Sequence, residues 1–400
     1  MTTNIYAALE IGTTRTVLAV GEAAPGERLK INCHSEIPST GVRKSQILDI
    51  AEARHLIASV LKSNREIDAS AGLSLRITNA ALVVSGQHVQ ADPFQGTAQI
   101  EGPKVTARDI DEVVRSAHGM KLAKDRELLD IAERFYGVDS LTEIGDPQGM
   151  SGRILKLDTL YIHADANRIN DARTAADEAH IEISDPLFAA TCAADAVLTE
   201  TDRRNGTLVL DLGGGCTGYA AYLDGVLALA GVIGVGGDHV TNDIAHAFQT
   251  SHTQADQIKI ESACAIIGAN EPDSPRVKVP CTTPLMEPRT ISRHALDTVV
   301  NVRLRELCQV LRERLEEGDL LNRLHGAVIT GGGAALRGID ALIQRELGLA
   351  TRIGAPIHVD GLENVAHPES FAAIAGALLY VHRNYEDTSF LRNFFRGFFK

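Results

Sequence analysis

The sequence predicts an α/β protein of two halves with a smaller unit inserted in the first, and three observations predict it. Three β-type runs end in turns of small residues, at Glu10-Ile11-Gly12-Thr13-Thr14-Arg15, Gly213-Gly214-Gly215 and Gly331-Gly332-Gly333, with helical patterns between them. The 400 residues exceed one ordinary core, since a domain of roughly 150 residues is typical. Between residues 82 and 160 the texture changes to short strands and Gly- and Pro-rich loops.

Composition narrows the class. Hydrophobic content of 44% and charged content of 23% describe a globular chain, not a disordered or fibrous one. A net charge of −13 opposes broad nucleic-acid binding, which needs a basic face. The six cysteines are irregularly spaced with no C-x-x-C pair, so neither a disulfide framework nor a zinc site is expected and a reducing cytosol suits the chain. Met1 to Leu9 has no basic or apolar leader pattern, so no secretory signal is expected. No run reaches the ~20 apolar residues of a bilayer span.

Along the chain, Ile5–Ala8, Thr16–Val20 and Leu29–Cys33 read as strands. Asp49 caps a helix to about Glu66, with Ile50, Ala53, Ile57, Val60 and Leu61 on one face. Within 82–160, a short strand and a loop precede a helix opened by Thr106 with Asp109 three residues on, a capping-box pattern. A second loop around Gly145–Gly152 leads to the strand Leu157–His163. Helices are predicted over Asn167–Ala179 and Pro186–Leu198, then a strand over Leu208–Leu212. The stretch Gly218–Gly237 reads as two strands joined at Asp224-Gly225. Asp238–Phe248, Gln254–Ala265 and the long Ser292–Glu316 read as helices, with strand potential at Val277–Val279. The strand Ala327–Thr330, the helix Leu336–Leu347 and a last core helix, Ser370–Arg383, complete the body.

The last eleven residues hold five of the ten phenylalanines. At 100° per residue, Phe390, Leu391, Phe394, Phe395, Phe398 and Phe399 occupy one half of a helix, and Arg392, Asn393, Arg396, Gly397 and Lys400 the other. A buried helix would not need three cations, and an exposed one would be an aggregation hazard. A membrane interface suits both halves: the aromatic face enters the headgroup–acyl boundary and the cations meet anionic lipid. Without those three cations the other 389 residues carry −16, so attraction to an anionic surface must come from the tail. So short a helix is marginal in water and is expected to form on lipid. The other reading is a terminal helix docked on its own lobe or in a partner's groove.

Strand ends with small-residue turns let backbone N–H groups approach phosphate oxygens. Each triplet alone could equally be a structural turn; the three in this order are more specific. The order resembles the phosphate-1, phosphate-2 and adenosine motifs of the actin, sugar-kinase and Hsp70 superfamily, carried here by Leu9–Thr13, Asp211–Gly215 and Thr330–Ala334. Asp185-Pro186-Leu187-Phe188-Ala189 and Ala372–Leu379 resemble its two connections between lobes. Within that superfamily the chain resembles the FtsA family of bacterial division proteins, at Gly41-Val42-Arg43-Lys44, Gly149-Met150-Ser151-Gly152, Thr241-Asn242-Asp243-Ile244-Ala245 and Arg352-Ile353-Gly354-Ala355-Pro356.

The resemblance covers nearly the whole chain and implies an actin-like ATPase fold of two RNase-H-like lobes. It divides the chain into subdomain 1A (1–81, 161–196, 372–384), an FtsA-type inserted subdomain 1C (82–160), 2A (197–242, 301–371) and 2B (243–300). Residues 385–400 are a linker and a membrane-targeting amphipathic helix. By the same resemblance, Gly12, Thr13, Thr14, Arg15, Gly213, Gly214, Gly215, Gly236, Gly237, Lys259, Gly331, Gly332 and Gly333 bind the nucleotide, and Glu10 and Asp211 hold Mg²⁺ through water. The implied ligands are ATP and Mg²⁺. The implied partners are FtsZ, further copies of the chain in an actin-like filament, anionic lipid and other division proteins, with no nucleic acid. The implied place is the cytoplasmic face of the cell membrane at the division site.

Lys259 has a plainer reading as an i,i+3 surface partner of Asp256, and Arg15 as a solvated hairpin arginine. The second turn departs from the family pattern, running Gly215-Cys216-Thr217-Gly218 where relatives often run Gly-Thr-x-Asp, so a carboxylate is missing at Gly218. That leaves at most slow ATP turnover expected and no residue assigned to catalysis. Cys216 reads as a small residue filling a turn rather than as a nucleophile. The alternatives are a sugar-kinase-type enzyme, a pilus-assembly relative and, least of all, an Hsp70-type chaperone.

Overall fold

The computed structural model describes residues 4–24, 26–70, 77–268, 275–279 and 289–384. The predicted membrane residues Phe390, Leu391, Arg392, Phe394, Phe395, Arg396, Phe398, Phe399 and Lys400 lie outside them.

Two sheets share one topology. In the first, Asn4–Ile11, Arg15–Ala23 and Leu29–Pro38 form an antiparallel meander. Asn79–Val84 and then Glu182–Phe188 add parallel strands beside Asn4–Ile11. In the second, Thr207–Leu212, Thr217–Leu223 and Val226–Ile233 form the meander, while Gly326–Thr330 and Ala350–Ile353 add the parallel strands. The strand–turn motif repeated in the sequence is thus the opening hairpin of each sheet. Asp224-Gly225 forms the second sheet's hairpin turn, both residues having positive φ (53° and 89°), as a two-residue turn between twisted strands requires.

Alternation along one strand sends side chains into two cores. Leu208, Leu210 and Leu212 pack among the helices of the second half. Val209, one residue out of phase, packs with Ala220, Tyr222 and Val328 against the core of the first half. The second sheet therefore forms the joint between the halves. That joint includes the helix Ala189–Val197 and the helix over 372–384, which approach so closely that a Cβ on Gly376 would lie 1.7 Å from the Cys192 carbonyl oxygen.

A third sheet, ordered Gln90–Gln99, Ile154–Asp165, Arg126–Val138, Leu141–Ile144, packs the helix Ala107–Ala117 and has its own small core of Val105, Val113, Leu155 and Leu157. The capping box at that helix is formed, Thr106 and Asp109 bonding each other's backbone. Gly96 admits the helix: a Cβ there would be 2.3 Å from the Ala117 nitrogen.

The structure departs from the expected elements in several places. Residues Pro186–Phe188 are strand, not helix, and the helix begins at Ala189. Pairing with Asn79–Val84 outweighs local propensity there, and Pro186 is tolerated because the strand is at the sheet edge beside a register shift. Arg126–Val138 is a 13-residue strand that the pattern left unassigned. The helix expected from Leu336 starts at Ile339, after a 3-10 turn over Gly332–Ala335. Leu82, Val83 and Val84 pair in the first sheet, as do Val359–Asp360 at its far edge, whereas the expected boundaries group them with the insertion and the second half.

Candidate functional site

The three small-residue turns converge because each ends a central strand of its sheet. Glu10 closes the strand Asn4–Ile11, and the Gly12 amide donates to the Arg15 carbonyl at 3.0 Å, curling Thr13 and Thr14 outward. Asp211 closes Thr207–Leu212, and the Gly213 amide donates to the Cys216 carbonyl at 3.0 Å. The two turns face each other across the joint. A Cβ on Gly214 would sit 2.0 Å from Thr14 Oγ1, and one on Gly215 would sit 2.4 Å from Thr13 Oγ1. No side chain fits between them.

The third turn is brought in by parallel pairing of Asp211 with Thr330. Gly331 follows at φ +80°, where a Cβ would lie 2.4 Å from Asp211 Oδ1. Its amide donates to the Glu369 carbonyl at 3.0 Å, fastening this turn to the first half. Gly236 and Gly237 close the remaining side: the Gly237 amide donates to the Gly213 carbonyl at 3.0 Å and the Asp238 amide to the Gly214 carbonyl at 2.9 Å. Those two amides are already used, so the free donors lie in the other turns.

All these turn residues, with Glu10, Asp211, Arg15 and Lys259, line one cavity of about 410 Å³, a size ordinary for a small-molecule site. One side of it was not foreseen. Ile260, Leu304, Leu307, Leu336 and Ile339 form an apolar wall that no local pattern announces, because the residues come from three separate segments and Leu304, Leu307 and Ile339 also belong to the second core. Ser45 and Ser85 also line the cavity. Ser45 lies next to the quoted Gly41–Lys44 passage, which was the available signal.

Electrostatics separate the charged residues. Glu10 and Asp211 are only partly exposed; burial raises the Glu10 carboxyl above its usual range, and burial with the nearby Glu10 charge pushes Asp211 up to about 7. Two carboxyls held so close call for a cation. Arg15 only partly meets that demand, because its guanidinium bonds Glu36 and the Ser370 carbonyl and stacks 4.9 Å from the Phe371 ring centroid. Lys259 does pair with Asp256 at 2.7 Å, as its plainer reading has it, yet it also donates to Thr241 Oγ1 at 2.7 Å and is mostly buried at the cavity wall. Cys216 is buried, and burial pushes its thiol up to about 11, which opposes a nucleophilic role. At Gly218 a Cβ would lie 3.0 Å from the Ala190 Cβ, so a carboxylate there would need the helix Ala189–Val197 to shift.

The fit to a nucleoside triphosphate can be judged from these residues. A glycine cradle that any Cβ would fill suits phosphates, and the apolar wall suits a base. Among the described residues no group of three or more His, Cys, Asp and Glu side chains could hold a metal ion. The Glu10–Asp211 pair fits a magnesium ion held through its waters and ligated by phosphate.

Known proteins share the family and the fold. The family model "Cell division protein FtsA" matches residues 208–376, and "SHS2 domain inserted in FTSA" matches residues 86–163. The chain is 30% identical over 385 residues to cell division protein FtsA of Escherichia coli K12, covering 93% of this chain and 89% of the relative. To that of Bacillus subtilis it is 26% identical over 383 residues, covering 95% and 84%. Among solved structures, a PilM–PilN type IV pilus biogenesis complex matches with TM-score 0.65 at 18% identity, over 94% of this chain and 98% of the other. MreB 5 of Spiroplasma citri bound to AMPPNP matches with TM-score 0.53 at 15% identity, over 97% and 100%. At such identities the structural matches speak for the fold alone.

Proposed function

This chain belongs to the FtsA family of cell division proteins and has the actin-like fold with that family's inserted domain, and from that premise we propose that it binds ATP with Mg²⁺ in the cleft, polymerises at the cell membrane and tethers the FtsZ ring there through its C-terminal amphipathic segment. The observation that carries the nucleotide part is the meeting of Thr13 and Thr14 with Gly214 and Gly215 from opposite halves of the molecule. A ligand held by both turns is stabilised only when the halves are together, so it favours the closed arrangement by its differential affinity.

In this reading Thr13, Thr14 and the free turn amides hold phosphate, Glu10 and Asp211 hold Mg²⁺ through water, and the apolar wall receives the base. Lys259 steadies the wall beside it. Mg²⁺ would supply the positive charge that offsets the buried carboxyls, and ATP would bridge the halves. Turnover is slow or absent, in keeping with the missing carboxylate and the tight packing at Gly218. Several tails on one filament hold a membrane far better than one, because each added attachment is intramolecular.

The test combines calorimetry with sedimentation. The full chain is expected to bind Mg²⁺-ATP and to pellet with anionic liposomes, and a chain ending at Thr388 is expected to keep the first property and lose the second. Retained pelleting of the shortened chain would count against the tail. Absence of ATP binding in both would count against the cleft.

A further inference from the structure

The cavity has one wall that the nucleotide reading leaves without a role. Residues Val42–Arg43 and Gln46–Ile47 form a separate two-stranded hairpin whose turn residues, Lys44 and Ser45, have φ of 50° and 58°. Two consecutive left-handed residues normally recruit Asn or Gly, and neither is present. Strained backbone of this kind persists where surrounding contacts over-determine it.

Those contacts include both glycine-lined turns of the cleft. The Ser45 amide donates to Thr13 Oγ1 at 2.8 Å, leaving the Thr13 hydroxyl proton free to donate into the cavity. Ser85 Oγ donates to Ser45 Oγ at 3.1 Å, and Ser45 Oγ lies 3.8 Å from Cys216 Sγ on the opposite half. Gly215 has no room for a Cβ, which would come 2.9 Å from Lys44 Cα. The hairpin tip is therefore seated on both turns at once.

Lys44 stands beside the cavity, next to the lining residue Ser45 and with its Cα against Gly215, and charge distinguishes it from Arg15 and Lys259. Arg15 is engaged by Glu36 and Ser370, and Lys259 by Asp256. Lys44 is exposed and has no ion-pair partner among the described residues. Its charge reaches His239, whose proton affinity is lowered chiefly by burial and next by Lys44. The apolar wall belongs to helices of the second half, while this tip belongs to the first. In the nucleotide reading the base lies against that wall and the phosphates lie between the two turns on which this tip is seated.

We propose that the Lys44–Ser45 hairpin tip is the sensor of the third phosphate: Lys44 bonds the terminal phosphate of a nucleoside triphosphate, so the cleft distinguishes a triphosphate from a diphosphate. This rests on the nucleotide reading of the cleft. Because the tip touches Thr13 on one side and Gly215 and Cys216 on the other, loss of that phosphate is felt at the joint between the halves.

The experiment is calorimetric titration of the full chain and its Lys44→Ala and Lys44→Arg variants with Mg²⁺-ATP and with Mg²⁺-ADP. Lys44→Ala is expected to weaken ATP by about ten-fold or more, the usual worth of a charged hydrogen bond, and to leave ADP unchanged. Lys44→Arg is expected to restore the preference. Equal weakening of both nucleotides, or no change in either, overturns the sensor while leaving the nucleotide site intact. Failure of the unaltered chain to bind either nucleotide overturns both. Since Lys44 is exposed, loss of folding is not expected to intervene, and an unchanged melting curve for Lys44→Ala checks this.

Discussion

The small residues of the cleft are set by distances rather than by preference. Gly214→Ala places a methyl group against Thr14, 2.0 Å from its hydroxyl oxygen as the chain stands, so the halves must part to admit it. The expected outcome is a loss of roughly five- to 150-fold in Mg²⁺-ATP affinity, by overpacking worth about 1–3 kcal/mol, read by calorimetry. Asp211 supports a pH prediction. Its folded-state pKa of about 7 stands above the unfolded value of about 4. Between those values the folded chain holds the proton and the unfolded chain does not, so nucleotide-free stability falls as pH rises through that window. Asp211→Asn removes this dependence. Melting temperatures without nucleotide are expected to favour the variant most at and above neutral pH, with the gap closing toward pH 4. At the same site the variant is expected to weaken Mg²⁺-dependent ATP binding. A variant less stable than the parent at neutral pH would refute the assignment of a strained carboxyl.

Among the elements, the helix Ala189–Val197 and the helix over 372–384 come close together at Gly376. A Cβ at that position would lie 1.7 Å from the Cys192 carbonyl, which no side-chain rotation can relieve. Gly376→Ala is expected to cost about 1–3 kcal/mol and to lower the melting temperature by several degrees, measured by calorimetric melting of the full chain. An unchanged melt would mean that the helices move apart freely. The same scale exposes the limits of local reading. Arg126–Val138 carries Leu128, Leu129, Ile131, Ala132 and Phe135 at spacings compatible with a helix, yet it is a strand paired along most of its length with Ile154–Asp165. Long-range pairing decided its state, as it did for Pro186–Phe188.

For the whole molecule, charge is divided between a body at −16 and a terminal segment with three cations. Attachment to an anionic membrane is therefore expected to weaken as salt rises, because the Debye length shrinks from about 10 Å at 0.1 M to about 3 Å at 1 M. Liposome sedimentation of the full chain over that range measures it. Binding that stays constant with salt, or that persists on uncharged lipid, would place the attraction elsewhere. Assembly bears on the same measurement, since linked tails bind with an effective concentration that single tails lack, and ATP is expected to sharpen sedimentation by promoting filaments.

What the sequence determined by itself were features that depend on neighbours a few positions apart. The strand-to-turn junctions at Glu10, Asp211 and Thr330, the Thr106–Asp109 capping box, the Asp224-Gly225 hairpin and the amphipathic terminus are all of this kind. The residues to look for in the cleft were legible through the family resemblance that those junctions carry. Only the tertiary structure decided how they meet. It set Thr14 against Gly214 across 200 positions of chain, turned Arg15 toward Glu36, gathered an apolar wall from separate segments and seated Lys44 and Ser45 on the glycine-lined turns of both halves. These follow from packing between distant strands and helices, which no window of local sequence contains.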